Sequence, residues 1–267
     1  MRYLFKPLLV LVFIFSAQSF TTIQNQGLNF HPTQRNSYST NPNGESRTHC
    51  KHDVLTSWKA GEIVTQQQID AFGIDKCFIQ LPIDEILFKR IYKKSYKANC
   101  PIPINELRYL KVLHVDIDKN IRLGELICHQ DISNDLLAIF KILFKACYPI
   151  ERMVLIDDYN AEDEPSMQAN NTSCFNFRNI SGTNNLSNHS TGHAIDINPL
   201  YNPYVKNKKG KIIYQPKTAG KYINRLNNFP YKITKGDLCY KLFKKHGFKW
   251  GGEWKNVKDF QHFEKGN

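Results

Sequence analysis

Acidic residues are scarce in this chain, and several familiar patterns are missing altogether. Asp and Glu number 24 against 36 Lys and Arg, which leaves a formal net charge of +12. No C-x-x-C pair occurs among the seven cysteines, so a zinc ribbon or thioredoxin-type motif has nothing to rest on. The longest apolar run, Leu8 to Phe15, falls short of the ~20 residues that span a bilayer, and no comparable run follows. Stable membrane insertion is therefore not expected. A nucleic-acid motif is also absent, and lysines such as Lys206, Lys208, Lys209, Lys211, Lys244 and Lys245 are scattered. The basic excess reads as a solvated surface suited to anionic surroundings, with no nucleic-acid partner.

The amino terminus has the layout of a secretory signal. Arg2 and Lys6 precede the apolar run, and Ala17-Gln18-Ser19 offers a small-x-small cleavage pattern. Residues 1–19 are assigned as signal peptide and the protein is expected to be exported, periplasmic or extracellular. Residues 20–49, rich in Asn, Gln, Ser and Thr, read as a flexible linker that cannot bury enough apolar surface to order itself. All seven cysteines lie beyond the signal, so an oxidising compartment predicts that some pair, with at least one left over.

From Val64 onward the chain is patterned. Helices are expected over Gln68–Phe72, ended by Gly73, and over Ile83–Tyr92. A third is expected from an N-cap at Ser133 through Ala146, and a last one over Asp237–His246 with Gly247 beyond it. Strands are expected at Leu110–Val115, Arg152–Asp157, Ala194–Asn198, Phe248–Trp250 and His262–Glu264. A polar loop of roughly thirty residues, Asp158–Leu186, is long enough to imply a role in function. Alternation in Ala194–Asn198 sends Ile195 and Ile197 inward and Asp196 to the opposite face. The fold class is α+β, a small, mostly antiparallel sheet packed with helices. Residues 50–106 form an extension packed on a core domain of 107–267, and a monomer is expected.

Chemistry concentrates in Ser187-Asn188-His189-Ser190-Thr191-Gly192-His193-Ala194-Ile195-Asp196 and in Asp259-Phe260-Gln261-His262-Phe263-Glu264. Two imidazoles and a carboxylate, with a fourth position open, suit a catalytic zinc ion. An H-x6-D spacing alone is weak; the frame Ser-x-His-x-x-Gly-x-Ala-x-Asp is far more specific. Alternation puts His193 off the Asp196 face, so it reads as a bystander or as a group supporting the ligands from behind. His114, His129 and His246 read as ordinary surface or partly buried histidines, and Cys174 as a buried thiol or half of a disulfide.

That frame resembles the zinc D-alanyl-D-alanine carboxypeptidases and dipeptidases of bacterial cell walls, a VanY-like group sharing a fold with hedgehog signalling domains. Asp157-Asp158-Tyr159, Ser166-Met167, Asn170-Asn171-Thr172-Ser173, Phe177-Arg178, Asn198-Pro199, Asn202-Pro203-Tyr204 and Trp250-Gly251-Gly252-x-Trp254 extend the resemblance over Leu107–Glu264. It implies His189, Asp196 and His262 as zinc ligands, Asp259 as general base and Arg178 as the donor to the developing oxyanion. Ser187 is expected either to position substrate or to brace the His189 loop. Many members carry Glu where Asp259 stands, and Asp there is like the endopeptidase branch. The implied activity is zinc-dependent hydrolysis of an amide bond in peptidoglycan stem peptides, with D-alanyl-D-alanine carboxypeptidase first. The alternatives are a peptidoglycan endopeptidase or a non-catalytic zinc-containing wall-binding module.

Overall fold

A computed structural model describes residues 58–180 and 182–266. The signal, the linker and Cys50 lie outside the described residues. The first elements are helix α1 (Gln66–Phe72), strand β1 (Ile79–Leu81) and helix α2 (Glu85–Ile91). Thr65 and Gln68 exchange hydrogen bonds at the start of α1 in a capping box, and Asp84 caps α2 through the Leu87 amide. Strands β2 (Leu107–Val115) and β3 (Ile121–His129) pair antiparallel in a hairpin, with β1 on the outer edge of β2.

Helix α3 (Gln130–Lys145) follows β3 directly. Its N-cap is His129, whose ring accepts from the Asp131 amide, rather than Ser133. Ser133 sits inside the helix and donates back to the Gln130 carbonyl, so a hydroxyl that suits a cap serves here as an internal bond. The buried stripe Ile132, Leu136, Ile139, Phe140 and Leu143 covers the hairpin, as the helical period predicts.

Arg152–Asp157, buried from Met153 onward with Arg152 exposed, is not a strand. Its backbone is satisfied piecemeal: the Asn171 side chain bonds both N and O of Val154, and the Glu125 amide donates to Met153. Side-chain amides thus stand in for a ladder, a substitution that apolar patterning does not reveal. The long loop that follows carries helix α4 (Asp163–Gln168).

The remaining strands are short. Strand β4 (Ala194–Asp196), the hairpin β5 (Tyr204–Lys208) and β6 (Lys211–Gln215), and helix α5 (Leu238–Lys245) lead to β7 (Lys249–Trp250), β8 (Lys258–Asp259) and β9 (His262–Glu264). They form two more three-stranded sheets, ordered β4-β9-β7 and β6-β5-β8, with every pair antiparallel. The class is α+β, with three small sheets where one was expected.

Phe263 anchors β9 in the core, its ring 4.3 Å from that of Phe243, with Ile195 and Phe248 fully enclosed nearby. No disulfide forms among the described cysteines: Cys77, Cys100, Cys128, Cys147, Cys174 and Cys239 are free. Four of the six are buried and pack as small apolar groups, which explains cysteine without cross-links. No described helix is long and apolar enough to cross a membrane.

Candidate metal centre

Asp196 and His262 face each other as direct partners across the β4–β9 pair. Directly opposed residues of an antiparallel pair project to the same face, so the two side chains meet while Ile195 and Phe263 go to the core. His189 arrives from a 3-10 turn, Asn188–Thr191, just before β4. Ser187 caps that turn by accepting from the His189 amide at 3.3 Å, the bracing role of its two expected ones.

Three donor atoms converge. His189 Nε2 lies 3.3 Å from His262 Nδ1 and 3.3 Å from an Asp196 oxygen, and His262 Nδ1 lies 3.1 Å from the other oxygen. A tetrahedral ion with bonds of about 2.0–2.1 Å would hold its ligand atoms roughly 3.3–3.4 Å apart. The donor set therefore fits zinc in both chemistry and spacing.

The outer ring nitrogens explain why the inner ones are free. His189 Nδ1 donates to the Cys174 carbonyl at 2.6 Å, and His262 Nε2 donates to Glu264 at 3.2 Å. Each bond fixes the tautomer and turns a lone pair toward Asp196, as outer partners of metal-binding histidines do. Two lone pairs and a carboxylate cannot share this space without a cation or proton between them. In the metal-free chain the burden falls on His262: burial opposes its charge, yet Asp196 and Glu264 push its pKa up to about 10. Asp196 itself is held far below the ordinary carboxylate range, the two histidines outweighing its burial.

Asp259 ends β8, beside this cluster. Its Oδ1 is buried without a hydrogen-bond partner, and burial, then the charge of Asp196, raises its pKa to about 7. Gly251 makes room for it: a Cβ there would stand 2.5 Å from the Asp259 carbonyl oxygen. Nearby, Trp254 packs against the His262 ring with centroids 5.4 Å apart, and the Trp250 indole donates to the Phe260 carbonyl.

Arg178 lies on the long loop, its main chain bonded to Ser187 and to the Ser190 hydroxyl on the His189 turn. Its guanidinium is ion-paired with Asp163 of α4. From sequence Asp163 suggests at most, with Asp157 and Asp158, a calcium loop whose oxygen-rich spacing is absent; nothing local links it to an arginine fifteen residues away.

Other residues differ from expectation. His114 is buried, with Nδ1 bonded to the Ile150 carbonyl, and burial drops its pKa to about 4. His129 is buried too, against the His193 ring. Asn198 leaves the alternation with φ 47° and becomes a buried hub, accepting from the Glu151 amide and donating to the Pro149 carbonyl. Cys174, by contrast, is one of its two expected forms, a buried thiol, and contributes its carbonyl, not its sulfur, to His189.

Gly192 sets the turn between His189 and Asp196. Its φ is +73°, and a Cβ would stand 2.6 Å from the His129 backbone nitrogen. The left-handed backbone alone costs a non-glycine residue about 1–3 kcal/mol. Gly192→Ala is therefore expected to lower the melting temperature by at least about 2 °C, read by thermal denaturation.

Residues 181–265 match a family model described as D-alanyl-D-alanine carboxypeptidase. No curated protein and no solved structure matches the chain. The matched stretch contains His189, Asp196, Asp259 and His262, and leaves Arg178 and the earlier motifs outside it. Both histidine-bearing segments of the candidate metal centre thus lie in the stretch that is similar to the D-alanyl-D-alanine carboxypeptidase family model.

Proposed function

We propose that this protein is a zinc-dependent peptidase that hydrolyses an amide bond in peptidoglycan stem peptides, with the terminal D-Ala-D-Ala bond as first choice. The observation that carries this reading is the convergence of His189, Asp196 and His262 at tetrahedral spacing next to a buried acid with a free oxygen. When bound, zinc supplies Lewis-acid activation of water and carbonyl.

The chain's own groups supply the rest. Asp259, raised to about 7, is poised to take a proton from the attacking water near neutral pH and to hand it to the leaving amine. Arg178 serves the oxyanion once the incoming substrate draws it from Asp163; its planar, permanently charged fork suits that task. Ser187 holds His189 through the turn. The endopeptidase reading is favoured by one observation, the shorter acid at position 259.

Such a substrate lies outside the cytoplasm, and the apolar run Leu8–Phe15 provides the route of export. The buried thiols tolerate an oxidising compartment: burial pushes Cys77 up to about 11 and Cys174 and Cys239 well above the ordinary value, which keeps them unreactive.

Mass spectrometry of purified muropeptides incubated with the zinc-loaded protein tests the proposal. Loss of one terminal D-Ala is the expected result, and separated stems would identify an endopeptidase. Unchanged muropeptides with zinc bound would overturn the catalytic reading in favour of a wall-binding module.

A further inference from the structure

Behind the wall formed by Glu264 lies a cavity of about 490 Å³, lined among others by His129, Asp131, His193, Glu106 and Lys265. Glu264 borders it on one side while accepting from His262 Nε2, so the cavity is on the opposite side of His262 from the converging donors. Local structure assembles three further donor groups there. His129 ends β3 and caps α3, and Asp131 stands in the first turn of that helix. The Gly192 carbonyl accepts from the His129 amide at 2.9 Å, and this close approach lays the His193 ring on the His129 ring, centroids 4.3 Å apart.

The hydrogen-bond pattern resembles that of the first centre, with one difference: His129 Nδ1 also accepts from the Asp131 amide at 3.3 Å as the helix cap, a long bond that an ion there would replace. One nitrogen of each imidazole is engaged outward: His129 Nε2 meets Glu106 at 3.4 Å, and His193 Nδ1 meets the Thr191 hydroxyl at 3.0 Å. The other nitrogen of each is turned to a single carboxylate oxygen. His129 Nδ1 is 3.2 Å and His193 Nε2 is 3.7 Å from Asp131 Oδ2. His193 is only 8% exposed, yet its Nε2 has no hydrogen-bond partner. Buried polar atoms are nearly always satisfied, so this one points to a ligand.

We infer that His129, Asp131 and His193 form a second site, distinct from the His189–Asp196–His262 centre, for a divalent transition metal such as zinc or cobalt. Two imidazoles and one carboxylate select borderline metals over calcium or magnesium, which take all-oxygen sets. The spacing is looser than in the first centre and Asp131 is exposed, so the second ion binds more weakly and keeps solvent in its remaining positions.

The test is a metal titration of the full-length, tag-free chain, followed by equilibrium zinc content and by cobalt absorption. Two equivalents of unequal affinity are expected. His193→Ala should remove the weaker one and spare the tighter one. Asp131→Asn, an exposed change that leaves the fold intact, should weaken it at least roughly tenfold. His189→Ala/His262→Ala should remove the tighter equivalent alone, which separates this site from the proposed catalytic one. A single equivalent in the wild-type chain, or a second one that survives both His193→Ala and Asp131→Asn, would overturn the inference.

Discussion

His262→Ala is expected to abolish the tighter metal equivalent and to reduce amide hydrolysis by at least about 10⁴-fold, because the activation of water goes with the ion. The side chain is central in the geometry: it meets Asp196 at 3.1 Å, His189 at 3.3 Å and Glu264 at 3.2 Å. Without it two donors remain, too few for a catalytic zinc, and Asp196 loses a partner for its buried charge. A ligand at about a hundred times its dissociation constant stabilises a fold by about 2.7 kcal/mol. Saturating zinc should therefore raise the melting temperature of the wild-type protein and leave that of His262→Ala much less changed. A variant that keeps both its tight zinc and its activity would show the ligand set to be wrong.

Asp259→Asn should give the second large effect, and a different one. Zinc content and melting temperature are expected to hold, because Asp259 shares no donor atom with the three ligands. Turnover should fall by about 10²–10⁴-fold, the range of a positioned general base. The pH profile carries the sign. A base works only when ionised, so wild-type activity should fall with an acid limb below about 7, the value to which burial and Asp196 raise this carboxyl in the metal-free chain. A cation beside Asp196 offsets that repulsion and moves the acid limb to lower pH. The limb should vanish in Asp259→Asn. Near wild-type turnover would remove Asp259 from the mechanism. Glu264 is then a poor substitute, since it is already bound to His262 Nε2 and to Asn188.

The convergence of His189, Asp196 and His262 is foreshadowed in sequence by the Ser-x-His-x-x-Gly-x-Ala-x-Asp frame and the resemblance that it carries, because these residues lie in two short segments. Alternation across Ala194–Asn198 assigns Asp196 to the face opposite Ile195 and Ile197, and the β4–β9 register sets His262 directly across from it. What escaped depends on contacts between distant segments. His129 looks like any histidine at the end of a strand until Gly192 closes onto its backbone. Arg152–Asp157 has the composition of a buried strand, but Asn171 and Glu125 supply its partners through side chains. The expected disulfides followed from compartment alone, and the core had room for thiols instead.

The placement of the ligands on unlike elements has a kinetic side. Asp196 and His262 ride on paired strands anchored by Ile195 and Phe263 in the core, whereas His189 rides on a 3-10 turn outside the ladder. Such a turn opens at far lower free energy than a core-anchored strand. For an ion held here, His189 is the ligand that lets go first, and the opening of residues 188–191 sets the exchange rate. Ser187, by capping that turn, becomes a latch on residence time: its loss speeds metal exchange while the two strand-borne ligands keep their grip.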